Sequence, residues 1–178
     1  MSFRARILLV GILAAFLAPD AARPADWGIG ASFGAVNDIS HRFQIEEFHA
    51  RDWNAWLEFG IEDHVQLRGT YGSLRAPADT NSAASVRSDV DYGTIGVSYE
   101  FLEGESDYTS GLFAGFGGYR VRPDGAPADT VFGWHAGVDG SIRIISKLSA
   151  VGRITAHRFR SGGGRTMLSG TAGLLFRF

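Results

Sequence analysis

The stretch Thr171-Ala-Gly-Leu-Leu-Phe-Arg-Phe178 decides how this chain is read. Counted back from Phe178, the residues Phe176, Leu174, Ala172, Gly170 and Leu168 share one face of an extended strand. Arg177, Leu175, Gly173, Thr171 and Ser169 share the other. An apolar side that returns every second residue is strand geometry. The segment closes on an aromatic, whereas the last residues of a soluble domain usually fray into water.

Working upstream, the same alternation returns seven more times. Strands are expected at Trp27–Ala35, Trp53–Ile61, Val65 to about Leu74, about Asp91 to Phe101, Tyr108–Arg122, Phe132–Ile144 and Leu148 to about Arg160. The clearest is the sixth, with Phe132, Trp134, Ala136, Val138, Gly140, Ile142 and Ile144 on one face and Gly133, His135, Gly137, Asp139, Ser141 and Arg143 on the other. The fifth is the least decisive, because Gly111, Gly115, Gly117 and Gly118 blur both faces. Short connections fall at 62–64, 102–107 and 145–147; they alternate with connections at 36–52, 75–89 and 123–129, which are longer, and with a glycine-rich loop at 161–165. No segment after residue 25 has a helical period, which leaves an α/β enzyme fold without support.

The chain has 178 residues, a net charge of −2 and no cysteine. Disulfide scaffolds, zinc–thiolate centres and cysteine nucleophiles are excluded, and the charge argues against a nucleic-acid binder. Glycine numbers 24 and aromatics make up 12%. Glycine weakens strands unless it marks crowding or a bend, and aromatics favour them, so the pair suits a tightly curved barrel. Two arginines, Arg4 and Arg6, precede an apolar run from Ile7 to Leu17 that is too short to span a bilayer as a helix. That arrangement predicts a signal peptide over residues 1–22, cleaved between 21 and 25, followed by a barrel over 26–178.

Polar Thr171 and Gly173 with aromatic Phe176 and Phe178 resemble the carboxyl-terminal sorting signal of bacterial outer-membrane β-barrels. The resemblance implies recognition by the barrel assembly machinery. Strands of about 9 to 12 residues match a tilted bilayer crossing. An even strand count puts both ends, and the short turns, on the periplasmic side. A soluble barrel would point its apolar face inward; here the polar face carries Gly28, Gly30, Gly34, Gly96, Gly137 and Gly173, small residues that suit a narrow lumen. Trp27, Trp53, Tyr99, Phe101, Phe132, Trp134, Phe176 and Phe178 suit interfacial girdles. The chain resembles the small eight-stranded antiparallel up-and-down transmembrane barrels, the outer-membrane protein A-like and X-like barrels and porin-like surface antigens. That family implies the outer membrane as location, membrane lipid and lipopolysaccharide as surroundings, and roles in membrane integrity or adhesion. Residues 36–52, the longest connection, are expected to be the contact surface for a host or surface ligand, since loops carry function on rigid scaffolds.

The two tightest hairpins set the register of the interior. Pairing Ile61 with Val65 puts Glu58 across from Arg68; pairing Ile144 with Leu148 puts Asp139 across from Arg153 and His135 across from His157. Glu100 and Arg143 are further inward charges. The expected lumen is plugged by this ion-pair network, with no catalytic, cofactor or metal site, two imidazoles being an incomplete zinc set. Lipid A deacylases, also eight-stranded barrels, carry His-x-Ser-Asn on a late strand. Here His157 is followed by Phe159 and Arg160 at the Ser and Asn positions, and the last strand has no carboxylate. A minor channel for small solutes is the third reading, disfavoured because eight strands leave room only for side chains.

Overall fold

The computed structural model describes residues 27–39, 50–76, 88–103, 107–125, 127–160 and 164–178. They form eight strands: β1 (Trp27–Asp38), β2 (Ala50–Glu62), β3 (Val65–Ala76), β4 (Ser88–Glu103), β5 (Tyr108–Pro123), β6 (Asp129–Ile145), β7 (Leu148–Phe159) and β8 (Arg165–Arg177). Each pairs antiparallel with its sequence neighbour, and β8 closes on β1. The circuit of partners Gly28, Glu58, Arg68, Gly96, Gly115, His135, His157 and Met167 returns to β1 at Asp38, ten residues from its start. That stagger is the tilt a closed sheet requires. Residues 1–22, read from the sequence as a signal peptide, lie outside the described residues, as do 40–49.

Several strands are longer than the alternation of apolar residues indicated, most of all β4 and β6 at 16 and 17 residues, whereas β5 gains only Pro123 and β7 ends at Phe159. Most of the extra length lies at the long-loop end, where the pattern of faces inverts. Over most of each strand the outward side chains are apolar and exposed, among them Phe33, Leu57, Ile95, Leu112, Phe116, Val138 and Ile154. Continuing up the same outward face, the residues become Arg51, Arg75, Asp89, Asp91, Arg120, Arg122 and Arg158. The inward face at that level is instead Val36, Leu74, Val90, Tyr92, Tyr119, Val121, Phe159 and Met167, all buried in one apolar cluster. A reading by apolar alternation alone stops where the apolar residues change sides, which is why the strands seemed shorter.

Both short-turn pairings differ from expectation by one residue. Glu62 rather than Ile61 pairs with Val65, and Ile145 rather than Ile144 pairs with Leu148, because a bulge sits in each strand beside its turn. Above the bulges the expected register holds: Glu58 faces Arg68, Asp139 faces Arg153 and His135 faces His157.

The interior is not filled by small residues. Trp56, Tyr92, Phe113 and Phe159 all point inward and are buried, and each lies across from a glycine: Gly30, Gly72, Gly137 and Gly133. A Cβ on Gly30 would overlap the Trp56 indole, and one on Gly137 would overlap the Phe113 ring. Gly152, on the outer face, has nothing near its missing Cβ. Gly30→Ala is therefore expected to destabilise refolding into lipid vesicles by about 1–3 kcal/mol through overpacking, while Gly152→Ala leaves stability within about 0.5 kcal/mol. Equal effects at the two sites, measured by denaturant titration, would contradict this packing.

Candidate functional site in the barrel lumen

Inward side chains fill the lumen in layers. Nearest the short turns, Glu100 accepts hydrogen bonds from Gln66 at 2.9 Å and from the Arg177 guanidinium. Glu58, 2% exposed, accepts from Arg177 and Arg68, each at 3.2 Å, and from the Trp56 indole at 3.3 Å. Asp139 accepts from Arg68 at 2.7 Å and lies 3.7 Å from Arg153. Asp139 thus holds Arg68 more closely than its register partner Arg153, because the Arg153 guanidinium turns over the Trp56 ring, 3.9 Å from its centroid, and donates to Asn54 at 3.2 Å. Cation–π contact of this kind strengthens when desolvated.

Arg143, expected in the network, sits apart from it. It lies at the rim of the short-turn end, more than half exposed, 3.6 Å from Asp107. The strand leaves the lumen at that point, so the charge meets water. His135 and His157 do come together, with ring centroids 5.8 Å apart, and His157 Nδ1 is 3.3 Å from the Tyr119 hydroxyl. Among the described residues no group of three or more His, Asp or Glu is placed to hold a metal ion. Above the histidines the apolar cluster closes the lumen: Tyr119 stacks on Phe159 at 5.1 Å and on Tyr92 at 5.6 Å. Phe159, at the position of the deacylase serine, is thus part of an apolar seal. Above it Arg165 and Asp38 pair at 2.6 Å.

Four parts of the interior were not named from the sequence: Arg177 as the cation that joins Glu58 to Glu100, Trp56 as the ring beneath Arg153, buried Asp52, and the inward apolar cluster at the long-loop end. Parity alone would have found Trp56 and Asp52, since both alternate with outward Trp53, Ala55 and Leu57. Of the residues in the terminal signal, Phe176 and Phe178 point out and are exposed, while Thr171 points in and hydrogen-bonds Ser32 at 3.1 Å. On the exterior of the long-loop end, Arg75 pairs with Asp89 and Arg122 with Asp91, each at 2.9 Å. The hydrogen bond from Arg75 holds the Asp89 carboxyl below its ordinary value.

No protein-family model and no curated protein sequence matches the chain. Solved structures do. Neisserial surface protein A aligns at 12% identity over 85% of this chain and 97% of its own, with a TM-score of 0.66. The N-terminal β-barrel domain of Pseudomonas aeruginosa OprF aligns at 13% identity over 85% and 97%, with a TM-score of 0.57. Ail, the attachment invasion locus protein of Yersinia pestis, aligns at 11% identity over 88% and 100%, with a TM-score of 0.54. The chain has the fold of the small eight-stranded outer-membrane β-barrels.

The shorter contact makes Arg68 the stronger partner of Asp139. Removing one member of such a buried pair is expected to cost about 3–5 kcal/mol. In double-mutant cycles of folding into vesicles, Asp139→Ala with Arg68→Ala should show a coupling of about 1–3 kcal/mol, larger than Asp139→Ala with Arg153→Ala. The reverse order would reject the assignment.

Proposed function

We propose that the chain is an integral protein of the bacterial outer membrane, exported by residues 1–22 as a signal peptide, with a structural or surface-interaction role and no catalytic one. The observation that carries this reading is the inversion of faces. A soluble barrel has a polar exterior along its whole length. Here the exterior is apolar from just beyond the short-turn rim up to Trp53, Phe116 and Phe132, and above that level it turns charged on β2, β3, β4, β5 and β7. That is the profile of a barrel seated in hydrocarbon and emerging from it at one end.

The emerging end carries the charged collar and the long connections, and it is read as facing outward from the cell. Arg51, Arg120 and Arg158 in the collar are exposed and suit the phosphates of lipopolysaccharide, which guanidinium groups bind with paired hydrogen bonds. The opposite end, with Trp27, Phe178 and the short turns, is read as periplasmic. Phe176 and Phe178, both on the outer face, are read as what the assembly machinery engages.

Adhesion draws on the neighbours. Ail is described as an attachment invasion locus protein and has also been solved with sucrose octasulfate, a heparin analogue. In this chain the contact surface is narrower than residues 36–52. Residues 36–38 and 50–52 belong to strands, and Val36 and Asp52 are buried inside, so a surface ligand would meet residues 40–49 and the other connections of that end. The deacylase-like reading is set aside because Phe159 and Arg160 replace its Ser and Asn. The channel reading is set aside because the seal and the ion pairs obstruct the lumen at two levels.

Bacteria expressing the chain should gain attachment to a sulfated-glycan surface, and deleting residues 40–49 should lower that gain several-fold while the barrel still inserts. Mass spectrometry should show unchanged lipid A. A shifted lipid A mass would overturn the non-enzymatic reading, and full attachment after the deletion would overturn the contact surface.

A further inference from the structure

Between the Arg153 guanidinium and the apolar seal lies a layer of buried polar groups whose charges do not balance. Below it Glu58, Asp139 and Glu100 are matched by Arg68, Arg153 and Arg177, and above the seal Asp38 is matched by Arg165. Asp52 is the surplus anion. It is 0% exposed, and neither of its carboxylate oxygens has a hydrogen-bond partner among the described residues. Ser169 and Asn54 lie near enough to influence it, yet neither forms a hydrogen bond of normal geometry. Arg153 is within electrostatic reach; its Nη1 donates to Asn54 and its face lies on Trp56, its Nε and Nη2 have no hydrogen-bond partner, and it forms no ion pair with Asp52 among the described residues. Other atoms of the layer are also buried without partners: Ser169 Oγ, Thr94 Oγ1, His135 Nδ1 and His157 Nε2.

Water satisfies hydroxyls and imidazoles in such places, but it does not cancel a charge. A carboxylate sealed from solvent with no cation of its own is costly, and the smallest positive charge that removes the cost is a proton. We propose that this layer is a proton-binding site, in which Asp52 is held as the neutral carboxylic acid and donates its hydrogen to the groups around it. Asp52 is the better host for the proton than either imidazole. His135 faces Arg153 and Arg68, and His157 faces His135 and Arg153, so a charge on either ring would add a cation to cations. A proton on Asp52 removes a bare anion instead.

The groups that surround the carboxyl come from every side of the barrel. Tyr92 of β4, Tyr119 of β5 and Arg153 of β7 are the titratable or charged ones, and beyond them His157 contacts the Tyr92 ring and His135 contacts His157. On β1 and β3 its register partners are Gly34 and Leu74, and β8 contributes Ser169. Tyr119 and Phe159 cover the layer on the outer side, so proton exchange requires the seal to loosen. The barrel interior then carries a group whose protonation is coupled to closure of the lumen.

The sign follows from linkage. Between about pH 4 and about pH 6 an unfolded chain ionises Asp52, whereas the closed barrel keeps the proton, so folding takes a proton up. The contribution is fully present below the ordinary carboxylate range and is lost as pH rises. Between the two states the folding equilibrium constant should fall up to tenfold per pH unit. Refolding into vesicles of neutral phospholipid from about pH 4 to about pH 6 should show this one-proton slope in the wild type. Asp52→Asn, which has the shape of the neutral acid, should fold and lack the slope. Infrared spectra at about pH 5, above the ordinary carboxylate range and below the raised value of Asp52, should show a protonated-carboxyl stretch in the wild type, shifted in Asp52→Glu and absent in Asp52→Asn. A missing stretch in the wild type would overturn the proposal, as would an unchanged slope in Asp52→Asn or failure of that variant to fold. Stabilisation by sodium ions that is lost in Asp52→Asn would also overturn it, because the missing charge would then be a metal cation.

Discussion

A sheet of eight strands closed with a stagger of ten residues encloses a space no wider than the side chains that fill it. Large residues enter only if the strand opposite them gives way, and here it does so by glycine. The Trp56 indole lies over Gly30, Tyr92 over Gly72 and Phe113 over Gly137. His135 lies over Gly115 in the same manner. Flattened against the wall, these side chains leave the centre to the guanidinium groups of Arg68 and Arg153, which contact rings as well as carboxylates. The high glycine content of the chain is thus part of how the lumen is packed.

The interior is built differently at its two ends because the surroundings differ. Where the outer wall is apolar, the inner wall is free to be polar, and a network of ion pairs fills it. Where the outer wall carries arginines and aspartates, the sheet is buried only on its inner side, and that side becomes an ordinary apolar core. The transition falls near Trp53 and Trp134 on the outside and near Asp52 and His157 on the inside. Buried polar groups without partners gather at this boundary, since it is neither an ion-pair layer nor a dry core.

Much of this was legible in the sequence. Period two located all eight strands and the facing of seven, and the tight hairpins placed Glu58 across from Arg68 and Asp139 across from Arg153. Two kinds of information were missing. Bulges beside the turns shift the last pair by one residue, and a turn-based register has no means of seeing them. Contacts between strands that are not neighbours, such as Arg177 with Glu100 and Arg68 with Asp139, depend on the stagger of the closed barrel, which no local pattern encodes. The glycine-rich fifth strand was ambiguous because Gly115 and Gly117 face in while Gly118 faces out, so glycine there marks neither side.

The central claim is that the outer face changes solvent along a single strand, and the absence of cysteine from the chain makes it directly testable. Gly152→Cys, Ile154→Cys, Ala156→Cys and Arg158→Cys each place one spin label on the outer face of β7 in vesicle-reconstituted protein. Collision rates with dissolved oxygen and with a water-soluble nickel chelate then report the solvent at each position. Labels at 152, 154 and 156 should meet oxygen and be shielded from the chelate, and the label at 158 should show the opposite. Chelate access along the whole series would contradict the account, because the barrel would then be surrounded by water throughout.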